Sequence, residues 1–338
     1  AGFSSFVERT GYPSARFLAA RKSRYGVHES VTLRANRTGG IDLFTGVSSM
    51  GQGTETTIAQ VCAQVYGVDF DRVKVHAGDT GSSPLHTRAL SSRPMIAAAG
   101  AVQEAATELR EKALRIAAHR LGTAADELTI DGHVVRARGD HETAISLAEV
   151  HTAAIFGQGI PEGDGPGLEA TSHWEPEAAA FAFGSAAAVV SVDIETGDFD
   201  IERFVFVHDS GTLVNPVIVE GQARGALAQG LGAALAEELR YDPETGQLIN
   251  GSMLDYFVPT AADLPRVELQ HTEVPSPVTP FGVRGAGETG TIPPAAAIAN
   301  AICDALVEFG VEISSLPITP EAVWRLIADA APRTEEPA

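Results

Sequence analysis

Cysteine is scarce in this sequence, which has two, Cys62 and Cys303, among 338 residues. A disulfide framework needs an even set of patterned cysteines, and an iron–sulfur cluster needs about four ligands. Both cysteines lie in apolar stretches with a helical pattern, where a small buried hydrophobic side chain is typical. We therefore expect neither a disulfide nor an iron–sulfur cluster held by this chain alone.

Basic residues are also in short supply, with 24 Lys and Arg against 44 Asp and Glu, giving a formal net charge of -20. Such a surface repels polyanions, so nucleic acid and anionic membranes are not expected partners. No apolar run reaches membrane-spanning length, and no signal-peptide pattern is found. A cytoplasmic enzyme component is the expectation.

Several common catalytic signatures are missing. The 10 histidines include no H-E-x-x-H pair, no G-x-S-x-G nucleophile elbow is found, and no glycine-rich loop carries the P-loop lysine. The spacing Gly285-x-Gly287-x-x-Gly290 matches the dinucleotide fingerprint, but it follows the proline-rich segment 275–280, which is unsuited to a central strand. A Rossmann site is therefore not predicted, and no protein-held metal is expected.

The length allows one large or two modest domains with their own cores. A long amphipathic helix is predicted over about 96–121, from its 3.6-residue periodicity. Alternating patterns predict strands at 1–8, 31–33, 41–44, 73–76, 184–194 and 199–208. The predicted organisation is a first subdomain over 1–156, a linker or excursion loop over 157–180, a second subdomain over 181–330 and a tail over 331–338.

Four polar, glycine-rich loops each precede a predicted helix, at 48–56, 78–93, 208–216 and 280–290. Free N–H groups at a helix start suit a phosphate, although a plain helix cap is the simpler alternative for any single loop. The last loop carries one carboxylate, Glu288, among glycines, which makes it a candidate general base. His208 lies beside Asp209, but neighbours on a strand point to opposite faces, so a packed histidine is expected.

In this order, the loops resemble the molybdenum hydroxylases of the xanthine dehydrogenase/aldehyde oxidase family. The matching runs cover nearly the whole chain, at 6–11, 51–56, 78–80, 91–93, 208–211, 215–216, 219–222 and 285–288. The resemblance implies an α+β fold, with two related subdomains of mixed β-sheet flanked by helices, as the second molybdopterin-binding domain of the xanthine oxidase type. It also implies that Glu288 lies beside the metal as the general base.

The resemblance further implies a set of cofactor-binding residues along the pyranopterin and its phosphate or nucleotide tail. These are Gly51, Gln52, Gly53, Thr54, Thr56, Ser91, Ser92, Arg93, Ser210, Asn215, Gln222 and Arg284. Hydroxyls and helix starts suit phosphates, and amide side chains suit the mixed donors and acceptors of a pterin. The implied cofactor is molybdopterin with molybdenum, in the cytosine dinucleotide form.

The match corresponds to the C-terminal part of the family's molybdopterin-binding large subunit. The resemblance therefore implies either a separate chain carrying the first half of this region or that this sequence is a fragment of a longer chain, with 2Fe–2S and FAD on further subunits. The implied reaction hydroxylates a C–H of a small aromatic N-heterocycle, or less readily an aldehyde, with water as oxygen donor. The alternatives are a carbon monoxide dehydrogenase-type subunit and a non-catalytic cofactor-binding or assembly module.

Overall fold

The computed structural model describes residues 1–13, 15–22, 28–84, 89–140 and 142–330. The helices in chain order are α1 (Ala15–Ala20), α2 (Thr54–Tyr66), α3 (Pro94–Leu121), α4 (Leu147–Phe156), α5 (Pro216–Leu235), α6 (Pro294–Ala305) and α7 (Pro320–Ala330). The strands are β1 (Gly2–Thr10), β2 (Glu29–Ala35), β3 (Ile41–Thr45), β4 (Val73–Ala77), β5 (Leu128–Asp131), β6 (Val134–Ala137), β7 (Ala144–Ser146), β8 (Glu169–Trp174), β9 (Ala180–Val192), β10 (Phe199–Asp209) and β11 (Val267–Thr272).

One mixed sheet has the strand order β4-β3-β2-β8, in which the β3–β4 pair is parallel and the other pairs are antiparallel. The long helix α3 packs across β2 and β8, and α2 lies beside α3. Leu33, Leu43, Tyr66 and Leu109 are fully buried in the resulting core. The predicted helix over 96–121 is confirmed, because its apolar face packs on this sheet.

A second mixed sheet has the order β1-β9-β10-β11, with β10 and β11 parallel. Helix α6 packs on β1 and β9, and α5 packs against α6. Phe204 and Phe206 of β10 are fully buried in this second core, together with Leu227 of α5. A small antiparallel sheet of β5, β6 and β7 lies outside these two layers.

The strands of the two sheets are not divided between the sheets as the predicted subdomains would divide them. β1, predicted within the first subdomain, pairs with β9 of the second sheet, for example Glu8 opposite Ala182. β8 lies inside the predicted linker, yet it pairs with β2 of the first sheet. The linker prediction is wrong over Glu169–Trp174, because this alternating strand is short and the glycines and prolines before it obscure the pattern. The predicted tail over 331–338 lies outside the described residues.

No helix in the part of the chain that the structure describes is both long and apolar enough to cross a bilayer. Cys62 is buried in α2, whereas Cys303 on α6 is partly exposed, and both are free thiols. Both cysteines lie in helices as predicted, but the predicted burial is confirmed for Cys62 only, because Cys303 is partly exposed.

Candidate active site

A groove forms where the four glycine-rich loops meet at the starts of α2, α3, α5 and α6. Its enclosed part has a volume of about 290 Å³. The loops at α2 and α3 pack on the first core, and so do Val214 and Phe281 of the two later loops, whereas the helices α5 and α6 that follow those loops belong to the second core. The polar residues that line the groove are Gln52, Thr54, Thr57, Ser92, Ser210, Thr212, Asn215, Gln222, Arg284 and Glu288.

The starts of α2 and α3 point open backbone N–H groups at this region. Gly53 caps α2 with φ 76°, and neither Gly53 nor Arg93, the cap of α3, makes a side-chain cap hydrogen bond. The first N–H groups of a helix have no partner within it, and the helix dipole adds positive potential there. Gln52 is held beside the α2 start by accepting from the Met50 N–H and donating to the Ser48 carbonyl.

Asn215 joins the two sides of the groove. Its side-chain oxygen accepts from the Ile218 N–H at 3.1 Å and so caps α5. Its amide nitrogen donates to Gln60 of α2 at 3.0 Å. Both the oxygen and the nitrogen of the Asn215 amide are therefore used within the protein, whereas Gln222, about two turns into α5, lines the groove.

Glu288 lies on an exposed part of the last loop, and the loop beneath it is fixed by hydrogen bonds. The Glu288 N–H donates to Ser92 Oγ at 3.2 Å, and the Glu288 carbonyl accepts from both the N–H and the hydroxyl of Thr291. Two glycines allow this close packing, because a Cβ on Gly285 would lie 2.2 Å from the Ser92 carbonyl oxygen, and one on Gly287 3.2 Å from Ser92 Oγ. The backbone around the carboxylate is thus held by the loop that begins α3.

Ser92 also contacts a buried carboxylate to which the sequence assigned no role. The Ser92 hydroxyl donates to Glu8 Oε1 at 3.0 Å. Burial raises the pKa of Glu8 to about 7; the Ser92 hydrogen bond opposes this shift, and the negative charge of Glu288 adds to it. Glu8 stands in the run 6–11 that contributes to the family resemblance, but a strand pattern alone does not show that this glutamate is buried.

Arg284 lines the groove, but its guanidinium is engaged within the protein. Arg284 Nε lies 3.2 Å from Asp209 Oδ1 and donates to the Val274 carbonyl, while the guanidinium carbon lies 5.5 Å from the centre of the Phe183 ring. The buried Asp209 also accepts from the Gly211 and Val274 N–H groups. This pair fixes the end of β10 to the Glu288 loop and leaves Arg284 little freedom to reach a ligand.

His208 is a packed side chain, as expected. It stacks on Phe206 with ring centroids 4.9 Å apart, and His271 approaches it edge-on at 4.6 Å. Burial lowers the pKa of His208 to about 4, and His271 acts in the same direction. Its Nδ1 lies within hydrogen-bond distance, 3.2 Å, of Ser210 Oγ, so His208 holds a side chain that lines the groove without lining the groove itself.

Five predicted cofactor-binding residues do not line the enclosed groove. Gly51 and Thr56 are exposed at the α2 start, with open space beside Gly51, whereas Gly53 is partly buried against Ile218. The Ser91 carbonyl accepts from the Gly11 N–H. The Arg93 side chain is buried, with Nη2 donating to the His28 carbonyl and lying 3.8 Å from Glu29 Oε2. The Arg93 side chain is therefore turned toward Glu29 and does not line the groove.

The groove suits a pterin with a phosphate-bearing tail. Two uncapped helix starts supply N–H donors for phosphate. The Gln222 amide, and the second hydrogen and lone pair of the Gln52 amide, can pair with mixed donors and acceptors, and the hydroxyls of Ser92 and Thr54 also line the groove. A ligand can approach the backbone at Gly51, where no atom lies within 4 Å of the position that a Cβ would occupy. These groups fit molybdopterin.

The family model for the molybdopterin cofactor-binding domain matches residues 1–265. The chain belongs to this family. The predicted family and its α+β fold of mixed sheets flanked by helices are thus confirmed.

Known relatives of this molybdopterin-binding chain are subunits of oxidoreductases. It is 37% identical over 325 residues to the nicotine 6-hydroxylase large subunit of Paenarthrobacter nicotinovorans, covering 96% of this chain and 40% of that protein. It is 32% identical over 304 residues to the carbon monoxide dehydrogenase large chain of Hydrogenophaga pseudoflava, covering 90% of this chain and 38% of that protein.

Among solved structures, quinoline 2-oxidoreductase from Pseudomonas putida 86 superposes with a TM-score of 0.89 at 38% identity. The alignment covers 97% of this chain and 42% of that one. The chain thus spans about 40% of the length of the curated relatives it matches.

Proposed function

We propose that this chain supplies one wall of the active site of a molybdenum-dependent hydroxylase, with Glu288 as its general base. The proposed reaction oxidises a C–H of a small N-heteroaromatic, with water as the oxygen donor. An aldehyde is the second substrate class. Two relatives bear names that specify nicotine and quinoline, both nitrogen heterocycles, which supports this substrate class.

The position of Glu288 carries this proposal. Its carboxylate stands at a groove whose other polar groups are neutral amides, hydroxyls and the paired Arg284. Its backbone is clamped by Ser92 and Thr291, while its side chain remains exposed. A general base needs a fixed position and access to the reacting atoms, and this arrangement gives both. A non-catalytic binding module would have no use for such a carboxylate.

The proposed cofactor is molybdopterin with molybdenum, in its cytosine dinucleotide form. When bound, it supplies the two-electron redox centre that the protein side chains lack. The starts of α2 and α3 would bind its phosphates, and Gln52, Gln222 and the Ser92 hydroxyl would orient the pterin. A carboxylate oxygen of Glu288 would take a proton from the water that provides the new oxygen.

We also infer that a partner polypeptide, the first half of the molybdopterin-binding region, covers the groove and the adjoining sheet face. On the side of β1 and β9 away from α6, Phe3, Val7 and Phe181 have exposed fractions of 71%, 73% and 46%. Such an apolar sheet face is a typical association surface. Subunits with 2Fe–2S and FAD would carry electrons away, because this chain has too few cysteines for a cluster.

A carbon monoxide dehydrogenase-type activity is the second candidate. The relative with 32% identity and a solved Cu,Mo-CO dehydrogenase with a TM-score of 0.88 favour it. The two candidates share the Glu288 wall and differ in the partner polypeptide, where the carbon monoxide reaction would require a cysteine-bearing loop.

The proposal is tested on the purified complex that contains this chain. We expect stoichiometric molybdenum by metal analysis, a pterin fluorescence signal after oxidative release, and transfer of 18O from labelled water into a hydroxylated heterocycle. Carbon monoxide oxidation in place of heterocycle hydroxylation would support the second candidate. A pure complex without molybdenum and pterin would refute both.

The role of Glu288 is tested by Glu288→Gln. We expect turnover per molybdenum to fall by about 10²–10⁴-fold, since that is the usual contribution of general-base catalysis. Molybdenum content should be unchanged, because the backbone contacts of the loop remain. The control is Glu308→Gln, at an exposed glutamate beyond α6. If Glu288→Gln retained a rate close to wild type, Glu288 would not be the base.

A further inference from the structure

Glu8 is a buried carboxylate whose two oxygens have different surroundings. The side chain is on β1 and has an exposed fraction of 8%. Oε1 accepts the Ser92 hydroxyl at 3.0 Å, whereas Oε2 is buried without a hydrogen-bond partner among the described residues. Leaving a buried polar atom unpaired costs about 1–3 kcal/mol, so such an atom in a functional region requires an explanation.

Ser92 connects this carboxylate to the loop of the proposed base. A hydroxyl has one hydrogen, and the Ser92 hydrogen is directed to Glu8. An oxygen lone pair is therefore left to accept the Glu288 N–H at 3.2 Å. Without the acceptor on Glu8, the hydroxyl could rotate and place its hydrogen toward the Glu288 N–H, which would break that contact.

The backbone at Ser91 and Ser92, which links Glu8 to the Glu288 loop, is strained. Ser91 and Ser92 have φ values of 53° and 49°, in the left-handed region that residues with a Cβ rarely adopt. Each such residue costs on the order of 1–3 kcal/mol and persists where its surroundings fix it. Here the Gly11 N–H holds the Ser91 carbonyl, and Glu8 holds the Ser92 hydroxyl.

We propose that Glu8 is a positioning residue that acts through Ser92 to fix the Glu288 loop. This inference rests on the proposed function of Glu288 as the general base. Glu8 does not line the groove and touches neither substrate nor cofactor. Its role is to keep the Ser92 hydroxyl in the rotamer that accepts the Glu288 N–H.

The protonation of Glu8 is coupled to the charge of Glu288 on the neighbouring loop. Burial and, to a smaller extent, the charge of Glu288 raise the pKa of Glu8, the Ser92 hydrogen bond lowers it, and the resulting pKa is about 7. Of the arginines on the adjacent segments, Arg93 is turned to Glu29 and Arg284 to Asp209, and on β9 the residue opposite Glu8 is Ala182. Ionisation of Glu8 near neutral pH therefore adds a second negative charge beside the Glu288 loop.

The experiment compares Glu8→Ala and Glu8→Gln with the matched control Thr10→Val in the purified complex. Thr10 is two residues along the same face of β1, fully buried, and its hydroxyl has no hydrogen-bond partner in the described part of the chain. Valine is close to threonine in shape and keeps the Cβ that packs beside Gly285, so the substitution is expected to change neither loop order nor turnover. Molybdenum content and melting temperature are measured for every variant.

Amide hydrogen exchange at Glu288 reports on positioning without depending on activity. We expect Glu8→Ala to increase exchange at the Glu288 amide and to lower turnover per molybdenum by up to the order of 10²-fold, the effect of a misplacement of about 1 Å. Glu8→Gln keeps an acceptor for Ser92, so it should retain the protection. Unchanged exchange in a folded Glu8→Ala variant overturns the inference, even if Glu288→Gln abolishes turnover.

The Glu8→Gln variant gives a second test that does not need Glu8→Ala to fold. We expect the wild-type turnover profile to contain an ionisation near pH 7 that Glu8→Gln removes. The carboxylic acid C=O stretch in the infrared difference spectrum of wild type minus Glu8→Gln should titrate in the same range. Because glutamine keeps an acceptor for Ser92, loss of the Glu288 amide protection in a folded Glu8→Gln variant would overturn the inference. Altered Glu288 exchange in a complex that lacks molybdenum would instead support the positioning role and refute the proposed function.

Discussion

Substituting Gly285 by alanine should displace the loop that carries Glu288. A Cβ there would lie 2.2 Å from the Ser92 carbonyl oxygen, 2.4 Å from Ser92 Cβ and 2.7 Å from Thr10 Cβ. The φ of Gly285 is outside the left-handed region, so alanine can adopt this backbone, and the penalty is purely steric. Two of the three atoms belong to a backbone carbonyl and a Cβ of Ser92, which cannot rotate away.

The size of the effect follows from these distances. Restoring a tolerable contact requires the two loops to separate by about 1 Å, and overpacking of this kind typically costs about 1–3 kcal/mol. A displacement of about 1 Å at a reacting group can lower a rate by about 10²-fold. We therefore expect a large loss of turnover with a modest loss of stability.

The assay combines thermal unfolding, hydrogen exchange at Glu288 and turnover per molybdenum. The melting temperature should fall by about 2–4 °C for each kcal/mol lost, the usual scale for about 150–250 residues. The control is Gly225→Ala, because the position beside Gly225 on α5 is open and alanine favours a helix by roughly 0.5–1 kcal/mol over glycine. A Gly285→Ala enzyme with wild-type exchange and turnover would refute the steric argument.

Three further predictions concern the cofactor, the pH dependence and the partner surface. Gln52→Ala and Gln222→Ala should each lower the molybdenum content without unfolding the chain, since each leaves a hydrogen-bonding group of the buried cofactor unpaired, at a cost of about 1–3 kcal/mol. Unchanged molybdenum content in both variants would refute the assignment of these two residues to the cofactor. Burial raises the pKa of Glu29 from its ordinary 4.5 to about 7, so the folded state holds a proton that the unfolded state has lost. The free energy of unfolding should therefore fall as the pH rises from 4.5 to about 7. Glu29→Gln should flatten this fall in melting curves measured across that pH range. Val7→Lys should weaken association with the partner polypeptide in gel filtration, whereas an equally exposed Val307→Lys should not.

Much of the local structure could be predicted from the sequence, because local patterns determine local elements. The strand and helix predictions agree with the structure, and the four loops do meet at helix starts. Long-range pairing could not be predicted in the same way. The alternation at the start of the chain indicates a strand, but nothing in it specifies β9 as its partner.

The directions of several side chains at the site could not be predicted from the sequence. Arg93 stands in a matching motif, yet tertiary packing turns it to Glu29. Glu8 stands in an alternating strand where a charged residue would ordinarily face solvent, and its burial depends on loops far away in sequence. The left-handed Ser91 and Ser92 likewise carry no local signal, since neither glycine nor asparagine marks the position.

The groove lies between two cores, and a small number of hydrogen bonds connect its sides. Asn215 joins α5 to α2 through Gln60, and Ser92 joins the start of α3 to the Glu288 loop. Each core is packed around its own sheet, so breaking one of these links should loosen the site while leaving both cores folded. The strained Ser92 belongs at such a link, because strain persists only where several contacts fix the backbone. A buried glutamate on the edge strand of the second sheet can thereby influence the Glu288 loop of the same unit through Ser92, at the start of α3 in the other unit.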